Sequence, residues 1–207
     1  PMYAYDWDLY EWSRRDGGYD YRAWGKVLRH CKEVWHSGPA TLKRCKEWYG
    51  IGGVVIPTFI PVDHLRGERV EDGEYALMAI RPSPDAGRRW FMDACAELEI
   101  PYRTTDLRVP FEEYKRILAN ATLLVNPLRE ASTGGLFLIE GLSLGKAALV
   151  SPSPWNDGAF YLGPYAVRPK IDTYEHFRDE LRRMWLERPT FDRAETAAFI
   201  DERYSLK

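Results

Sequence analysis

Short apolar runs alternate with amphipathic segments along most of the chain, and this alternation predicts an α/β fold. The short apolar runs are typical of buried strands, and apolar positions three or four residues apart are typical of helices. Strands separated by such helices pair in parallel through right-handed crossovers. The predicted strands are residues 53–59, 75–81, 101–106, 121–127, 147–151 and 165–169. The predicted helices are residues 20–36, 39–49, 86–99, 111–119, 134–144, 173–187 and 190–202.

The segment 126–151 carries the most specific pattern in the chain. A strand predicted at residues 121–127 ends in Asn-Pro, which forces the chain out of the sheet. Two glycines follow at positions 134–135, where they let the backbone approach a ligand closely, and Ser132 or Thr133 can cap the next helix. Because the first amides of a helix carry a partial positive charge, this turn predicts a diphosphate site.

One acid lies inside the apolar pattern of that helix. Glu140 is flanked by Leu138, Ile139, Gly141 and Leu142. A carboxylate in such surroundings needs hydrogen-bond partners, and recognition of ligand hydroxyls would supply them. An ordinary α/β domain, with a glycine-rich turn and Glu140 paired to a structural arginine, accounts for the same pattern.

These residues resemble the donor-binding core of the retaining GT-B glycosyltransferases of family 4. That core reads Glu-Gly-Phe-Gly-Leu-Pro-x-x-Glu, then a helix of small residues, then Gly and Pro-Val-Val. The resemblance implies that Glu140 is the ribose-binding acid. Ser132 stands where the family has its first Glu, and Glu130 is the nearest alternative acid.

The resemblance continues upstream. Residues 39–51, followed by Val-Ile-Pro at 55–57, are similar to the helix, the Tyr-Gly-Ile and the Val-Ile-Pro-Asn through which the family enters its C-terminal domain. The resemblance covers roughly residues 30–187, which correspond to the donor half of a two-domain enzyme. In the family a second Rossmann domain supplies the acceptor site.

A cation at the diphosphate is also implied. The predicted strand at 75–81 looks like the family strand whose final Gly-Arg reaches the diphosphate, which gives that role to Arg81. The family has a Lys five residues later, and this chain has Ala86 there. Either Arg88 or Arg89 supplies the missing charge one helical turn on, or both are solvated residues of an amphipathic helix.

The loop at residues 107–109 would cup the base through its backbone in the resembling family, and a plain strand-to-helix loop is the alternative. We therefore predict two sets of site residues. The predicted catalytic residues are Arg81, Glu130 and Ser132. The residues predicted to bind the nucleotide sugar are Leu107, Arg108, Val109, Thr133, Gly134, Gly135, Leu136 and Glu140.

The predicted organisation has two parts. Residues 1–37 form an aromatic-rich N-terminal arm and helix, and residues 38–207 form a single Rossmann-like parallel sheet flanked by helices, which is half of a GT-B fold. The arm carries eight aromatic residues within its first 24 positions. Docking on the domain, an interface with a second copy or a partner chain, and a stacking platform for sugar or bases all account for this density.

Composition excludes some classes of partner. The chain of 207 residues has a net charge of −2 and a pI of about 6.2, so we expect no bulk binding of nucleic acid or an anionic membrane. It lacks a long apolar run and a signal peptide, so a cytoplasmic protein is expected. Cys31, Cys45 and Cys95 are expected to be reduced thiols within helices, and His64 and His176 to have surface or packing roles.

The leading hypothesis is a minimal or split glycosyltransferase that transfers a sugar with retention. Its donor substrate is a nucleotide-diphosphate sugar, with no cofactor and no metal, and its acceptor is not readable from the sequence. A degenerate module that binds the nucleotide or nucleotide sugar without chemistry is a second hypothesis, motivated by Ser132 and Ala86. Glycosylation of modified bases in DNA is a third, which the acidic pI disfavours.

Overall fold

Two parallel sheets organise the part of the chain that the computed structural model describes. That part comprises residues 3–6, 21–57, 62–65, 67–70, 73–80, 86–106, 109–126, 136–150, 158–167, 169 and 171–204.

The smaller sheet lies in the N-terminal quarter of the chain. Its three strands are β1 (Tyr3–Asp6), β2 (Glu33–His36) and β3 (Val54–Val55), with β2 in the centre and both pairings parallel. The helices α1 (Tyr21–Arg29) and α2 (Pro39–Tyr49) connect these strands. A small core of Leu28, Val34, Cys45 and Tyr49 joins the helices to β2.

The helix predicted at residues 20–36 is therefore wrong beyond Arg29. Val34 and His36 are buried, whereas Glu33 is exposed and Trp35 is half-buried, which is the two-residue alternation of a strand. Strands from both sides of residue 37 pair in this sheet. The division of the chain at that residue stays a prediction.

The larger sheet has five parallel strands. In chain order they are β4 (Ala76–Ile80), β5 (Tyr102–Asp106), β6 (Leu123–Asn126), β7 (Ala147–Val150) and β8 (Ala166–Val167). Their spatial order is β5-β4-β6-β7-β8, so β5 is added on one side of β4 and the later strands on the other. This reversal is a topological switch point between β4 and β6.

Helices cover both faces of the larger sheet. They are α3 (Ala86–Glu97), α4 (Phe111–Ala119), α5 (Leu136–Ser143), α6 (Gly158–Leu162), α7 (Tyr174–Glu187) and α8 (Arg193–Tyr204). Leu123 and Val125 point into a core shared with α3 and α7, whereas Leu124 points into a core shared with α4, α5, α6 and α8. The predicted α/β class, with a Rossmann-like parallel sheet between helices, is confirmed.

The bounds of α2 and α4 match the predicted ones at both ends. Pro39 begins α2, and Gly50 ends it in the left-handed conformation with φ of +67°, where its amide donates to the Lys46 carbonyl. The other predicted helices of the larger sheet agree to within about three residues. The short helix α6 and the strand β1 were not predicted.

The cysteines are free thiols. Cys45 lies in α2 and Cys95 in α3, as predicted, but Cys31 lies in the turn after α1. Burial raises the pKa of the Cys95 thiol to about 12. Within the described ranges, no helix is long and apolar enough to cross a membrane.

Candidate functional site

The switch point of the larger sheet positions the candidate site. After β4 the chain passes to α3 on one face, and after β6 it passes to α5 on the other. Such a divergence leaves a crevice outside the carboxyl ends of the two strands. Most predicted site residues fall in the segments that follow β4, β5 and β6 and lie outside the described residues: Arg81, Leu107, Arg108, Glu130, Ser132, Thr133, Gly134 and Gly135.

Helix α5 leads from this crevice into the core. Leu136, its first residue, is 46% exposed, whereas every residue from Phe137 to Ser143 is buried. A right-handed crossover from β6 to β7 places the first turn of the helix at the carboxyl edge of the sheet. The first amides of that turn, which have no partners within the helix, therefore lie at the edge where ligands bind in sheets of this kind.

Glu140 is buried in α5, as its apolar neighbours in the sequence predict. The Tyr114 hydroxyl on α4 donates a hydrogen bond to Oε2 of Glu140. His64, in the 3-10 turn Asp63–Leu65, places Nε2 3.5 Å from Oε1 of Glu140. Within the described ranges a tyrosine and a histidine, rather than an arginine, thus contact this carboxylate.

Tyr114 is a neutral donor in this contact. Burial raises the pKa of its hydroxyl, and the charge and hydrogen bond of Glu140 raise it further. The hydroxyl therefore stays protonated near neutral pH and donates a hydrogen bond to Oε2. No repulsion arises between two anions.

The His64 ring lies between Glu140 and Phe111. Its centroid is 5.0 Å from that of the Phe111 ring, which is 52% exposed at the start of α4. The Nε2 atom of His64 is buried and makes no hydrogen bond of good geometry with the described residues. At 3.5 Å, its contact with Glu140 becomes an ion pair only when the imidazole is protonated.

Lys115 is the cation nearest to Tyr114 in sequence, but two acids engage it. Its Nζ lies 3.0 Å from Oε1 of Glu68 and 2.7 Å from Oε2 of Glu112. Hydrogen bonds to these two acids raise the pKa of Lys115, with Glu112 the larger cause. We therefore do not assign Lys115 to a diphosphate.

Val109, Arg88 and Arg89 are the other described residues that the sequence made candidates for the site. Val109 is half-buried just before α4 and packs against the core of the α4–α5 face. Arg88 and Arg89 are exposed on α3, and Arg89 forms a loose ion pair of 3.5 Å with Asp93. This arrangement agrees with the solvated interpretation of Arg89.

Sequence reasoning missed Tyr114 and His64. Tyr114 occupies an ordinary position of an amphipathic helix, 26 residues before Glu140, so no local pattern connects the two. His64 belongs to no triad or metal-binding pattern in the sequence, so only a surface or packing role is expected for it. Folding brings both side chains to the same carboxylate.

Similarity to known proteins is visible in structure but not in sequence. No family profile matches the chain, and no curated protein matches it in sequence. Solved structures do match, and GT-B glycosyltransferases are among them.

Three of these structures come from different organisms. A glycosyltransferase from Rickettsia africae has a TM-score of 0.68 and 10% identity over 89% of this chain and 63% of its own. Sucrose-phosphate synthase from Thermosynechococcus elongatus has a TM-score of 0.69 and 14% identity over 95% of this chain and 61% of its own. HepE from Anabaena, in complex with UDP and glucose, has a TM-score of 0.65 and 13% identity over 89% of this chain and 62% of its own.

At sequence identities of 10–14%, this structural similarity shows the fold alone. The chain spans less than two thirds of the length of each of these structures. It therefore has the architecture of part of a GT-B glycosyltransferase, which confirms the predicted fold class.

Proposed function

We propose that this chain is the donor-binding part of a glycosyltransferase, which takes a sugar from a nucleotide-diphosphate sugar and transfers it with retention. The observation that carries the proposal is the buried Glu140 side chain, which accepts a hydrogen bond from Tyr114 and lies on α5, the helix after β6 at the switch point of a GT-B-like sheet. Among the described residues, its contacts are the Tyr114 hydroxyl and, at 3.5 Å, the His64 imidazole. A buried carboxylate needs further hydrogen-bond donors, which ribose hydroxyls would supply.

Each part of the donor has a recognition element in this proposal. Glu140 accepts hydrogen bonds from ribose hydroxyls, and a charged acceptor makes these bonds stronger than neutral ones. The turn predicted at 132–136 and the first amides of α5 bind the diphosphate. The loop at 107–109 contacts the base through its backbone, and Arg81 offsets charge on the diphosphate.

UDP and UDP-glucose are the first ligands to try. HepE has been solved with UDP-glucose as well as with UDP and glucose. A uridine base for this chain is a proposal drawn from that protein. The acceptor of this chain is not assigned, because the chain spans only part of the enzymes that it resembles in structure.

A module that binds the nucleotide without chemistry is the second candidate. The exposure of Arg88 and Arg89, with Arg89 paired to Asp93, favours it. Ala86 is then not compensated by Arg89, and one of the two cations that the resembling family uses at the leaving group is missing. The two candidates therefore differ in the rate at which the chain breaks the bond between the sugar and the diphosphate.

Release of UDP from UDP-glucose by the purified chain separates the two candidates. In water alone, a transferase slowly hydrolyses its donor, and an added acceptor speeds the release. We expect Arg81→Ala to slow this release about 100-fold, because a preorganised contact to leaving-group charge contributes roughly 3 kcal/mol to catalysis. UDP is measured with a coupled assay, and the anomer of any product by NMR.

Arg182→Ala serves as the matched control, since Arg182 is exposed on α7. Its rate should equal that of the wild type. Binding of UDP-glucose without release above the buffer rate would establish the binding module in place of the enzyme. Neither binding nor release, with this donor or with its guanosine and adenosine counterparts, would contradict both candidates.

A further inference from the structure

Tyr114 has no role in the sequence resemblance, yet it makes the hydrogen bond that fixes the candidate ribose acceptor. Its hydroxyl donates to Oε2 of Glu140 from the neighbouring helix α4. We propose that Tyr114 is a positioning residue, which holds the Glu140 carboxylate in the orientation that accepts a ribose hydroxyl. The inference rests on the proposed function, because it requires Glu140 to accept a hydrogen bond from a ribose hydroxyl.

The need for such a residue follows from the freedom of a glutamate side chain. The terminal torsion of glutamate is broad and has no sharp staggered preference. A hydrogen bond to one carboxylate oxygen restricts rotation about this torsion and so narrows the directions that the other oxygen can take. With Oε2 held by Tyr114, Oε1 of Glu140 is oriented toward the side where His64 lies.

Tyr114 is itself well anchored. Its side chain is half-buried and packs against the core of the α4–α5 face. Helix α4 begins at Phe111, two residues after Val109 in the loop predicted to contact the base. Helix α4 thus carries Tyr114, which contacts Glu140, and follows directly on the loop predicted to contact the base.

The charged groups around this contact do not replace Tyr114. Lys115 is paired with Glu68 and Glu112. His64 lies 3.5 Å from Oε1, and its Nε2 makes no hydrogen bond of good geometry with the described residues. Among the described residues, the hydrogen bond from Tyr114 is thus the contact that orients the carboxylate.

The test compares ribose recognition rather than affinity alone. Dissociation constants for UDP, 2′-deoxy-UDP and 3′-deoxy-UDP are measured by calorimetry on the wild type and on Tyr114→Phe. Only folded protein binds, so partial unfolding scales all three constants by the same factor and cancels in their ratio. Measurement at about 10 °C, near the usual maximum of domain stability, keeps a weakened variant folded.

We expect the wild type to bind UDP about tenfold to a hundredfold more tightly than at least one deoxy analogue, because a charged acceptor loses its donor. In Tyr114→Phe this ratio should fall about fivefold or more. Tyr75→Phe is the matched control, since its hydroxyl donates to the Ile117 carbonyl on the same helix at 2.7 Å. That variant should keep the wild-type ratio within about twofold.

A double variant tests whether Tyr114 acts through Glu140. In a Glu140→Gln background, Tyr114→Phe should change the ratio no further. An unchanged ratio in Tyr114→Phe, or an equal loss in Tyr75→Phe, would overturn the inference and leave the proposed function intact. Tight UDP binding with no discrimination against either deoxy analogue would also overturn it. Absence of binding to UDP, GDP, ADP and CDP in the wild type would remove the proposed function and the inference together.

Discussion

Replacing Glu140 with alanine should weaken nucleotide binding about tenfold to a hundredfold. The loss corresponds to about 1–3 kcal/mol, which is typical of a hydrogen bond to a charged group in a site sheltered from water. The Glu140 side chain is only 12% exposed, so water does not readily take its place. Affinity for UDP, or for whichever nucleoside diphosphate binds, is measured by calorimetry.

The effect must be separated from a loss of folded protein. Removing Glu140 leaves the hydroxyl of the half-buried Tyr114 without its acceptor, which should itself cost about 1 kcal/mol of stability. Circular dichroism therefore confirms the folded fraction at the temperature of the binding experiment. Glu113→Ala, which removes an exposed acid of α4, should leave affinity unchanged. A folded Glu140→Ala protein with wild-type affinity would take Glu140 out of the site.

Gly141→Ala should strongly destabilise the protein, because it adds a methyl group to a close contact next to Glu140. A Cβ at Gly141 would overlap Cδ1 of Leu124 and lie 3.2 Å from its Cγ. Leu124 is fully buried in β6, so its side chain has no free space into which to move. We expect the free energy of unfolding to fall by about 2 kcal/mol, after the gain of about 1 kcal/mol that alanine brings to a helix.

Urea denaturation measures this change, with the m-value as a check that the unfolded surface is the same. Gly52→Ala is the control, because a Cβ there meets only Cε of Lys46, at 3.6 Å. It should change stability by less than about 0.5 kcal/mol. Leu124→Val should recover part of the loss in the Gly141→Ala background, since valine lacks the overlapping atom. An undisturbed Gly141→Ala protein would mean that α5 does not pack closely on β6.

The elements that the sequence predicted well have local signals at their ends. Helix α2 begins with Pro39, which has no amide to leave unpaired, and ends at Gly50, which adopts positive φ. Helix α7 begins after Thr173, whose side chain accepts a hydrogen bond from the His176 amide. Such signals lie within a few residues of the boundary that they set.

The smaller sheet escaped prediction because its strands depend on distant partners. Strand β2 is four residues long and pairs with β1, about 30 residues earlier in the chain, and with β3, about 20 residues later. The segment that contains it, with Val34 and Trp35 after Leu28, also fits a helical spacing of apolar residues. The segment forms a strand because it pairs with β1 on one side and β3 on the other.

The candidate site likewise has one feature that local sequence predicts and others that depend on distant segments. Burial of Glu140 was predictable, because four apolar or small residues surround it in the sequence. Its contacts with Tyr114 and His64 were not, since each joins segments that only the folded sheet brings together. Neither a helix pattern nor a motif specifies which side chain of α4 faces α5 at that point.

Thermal unfolding with nucleoside diphosphates tests the central claim most directly. The chain is heated with UDP, GDP, ADP, CDP or dTDP, each at high concentration. A ligand at about 100 times its dissociation constant stabilises a protein by about 2.7 kcal/mol, which corresponds to a shift of roughly 5–10 °C in a domain of this size. We predict a shift of that size with at least one of the five. Unchanged unfolding with all of them would contradict a nucleotide-binding site at the switch point.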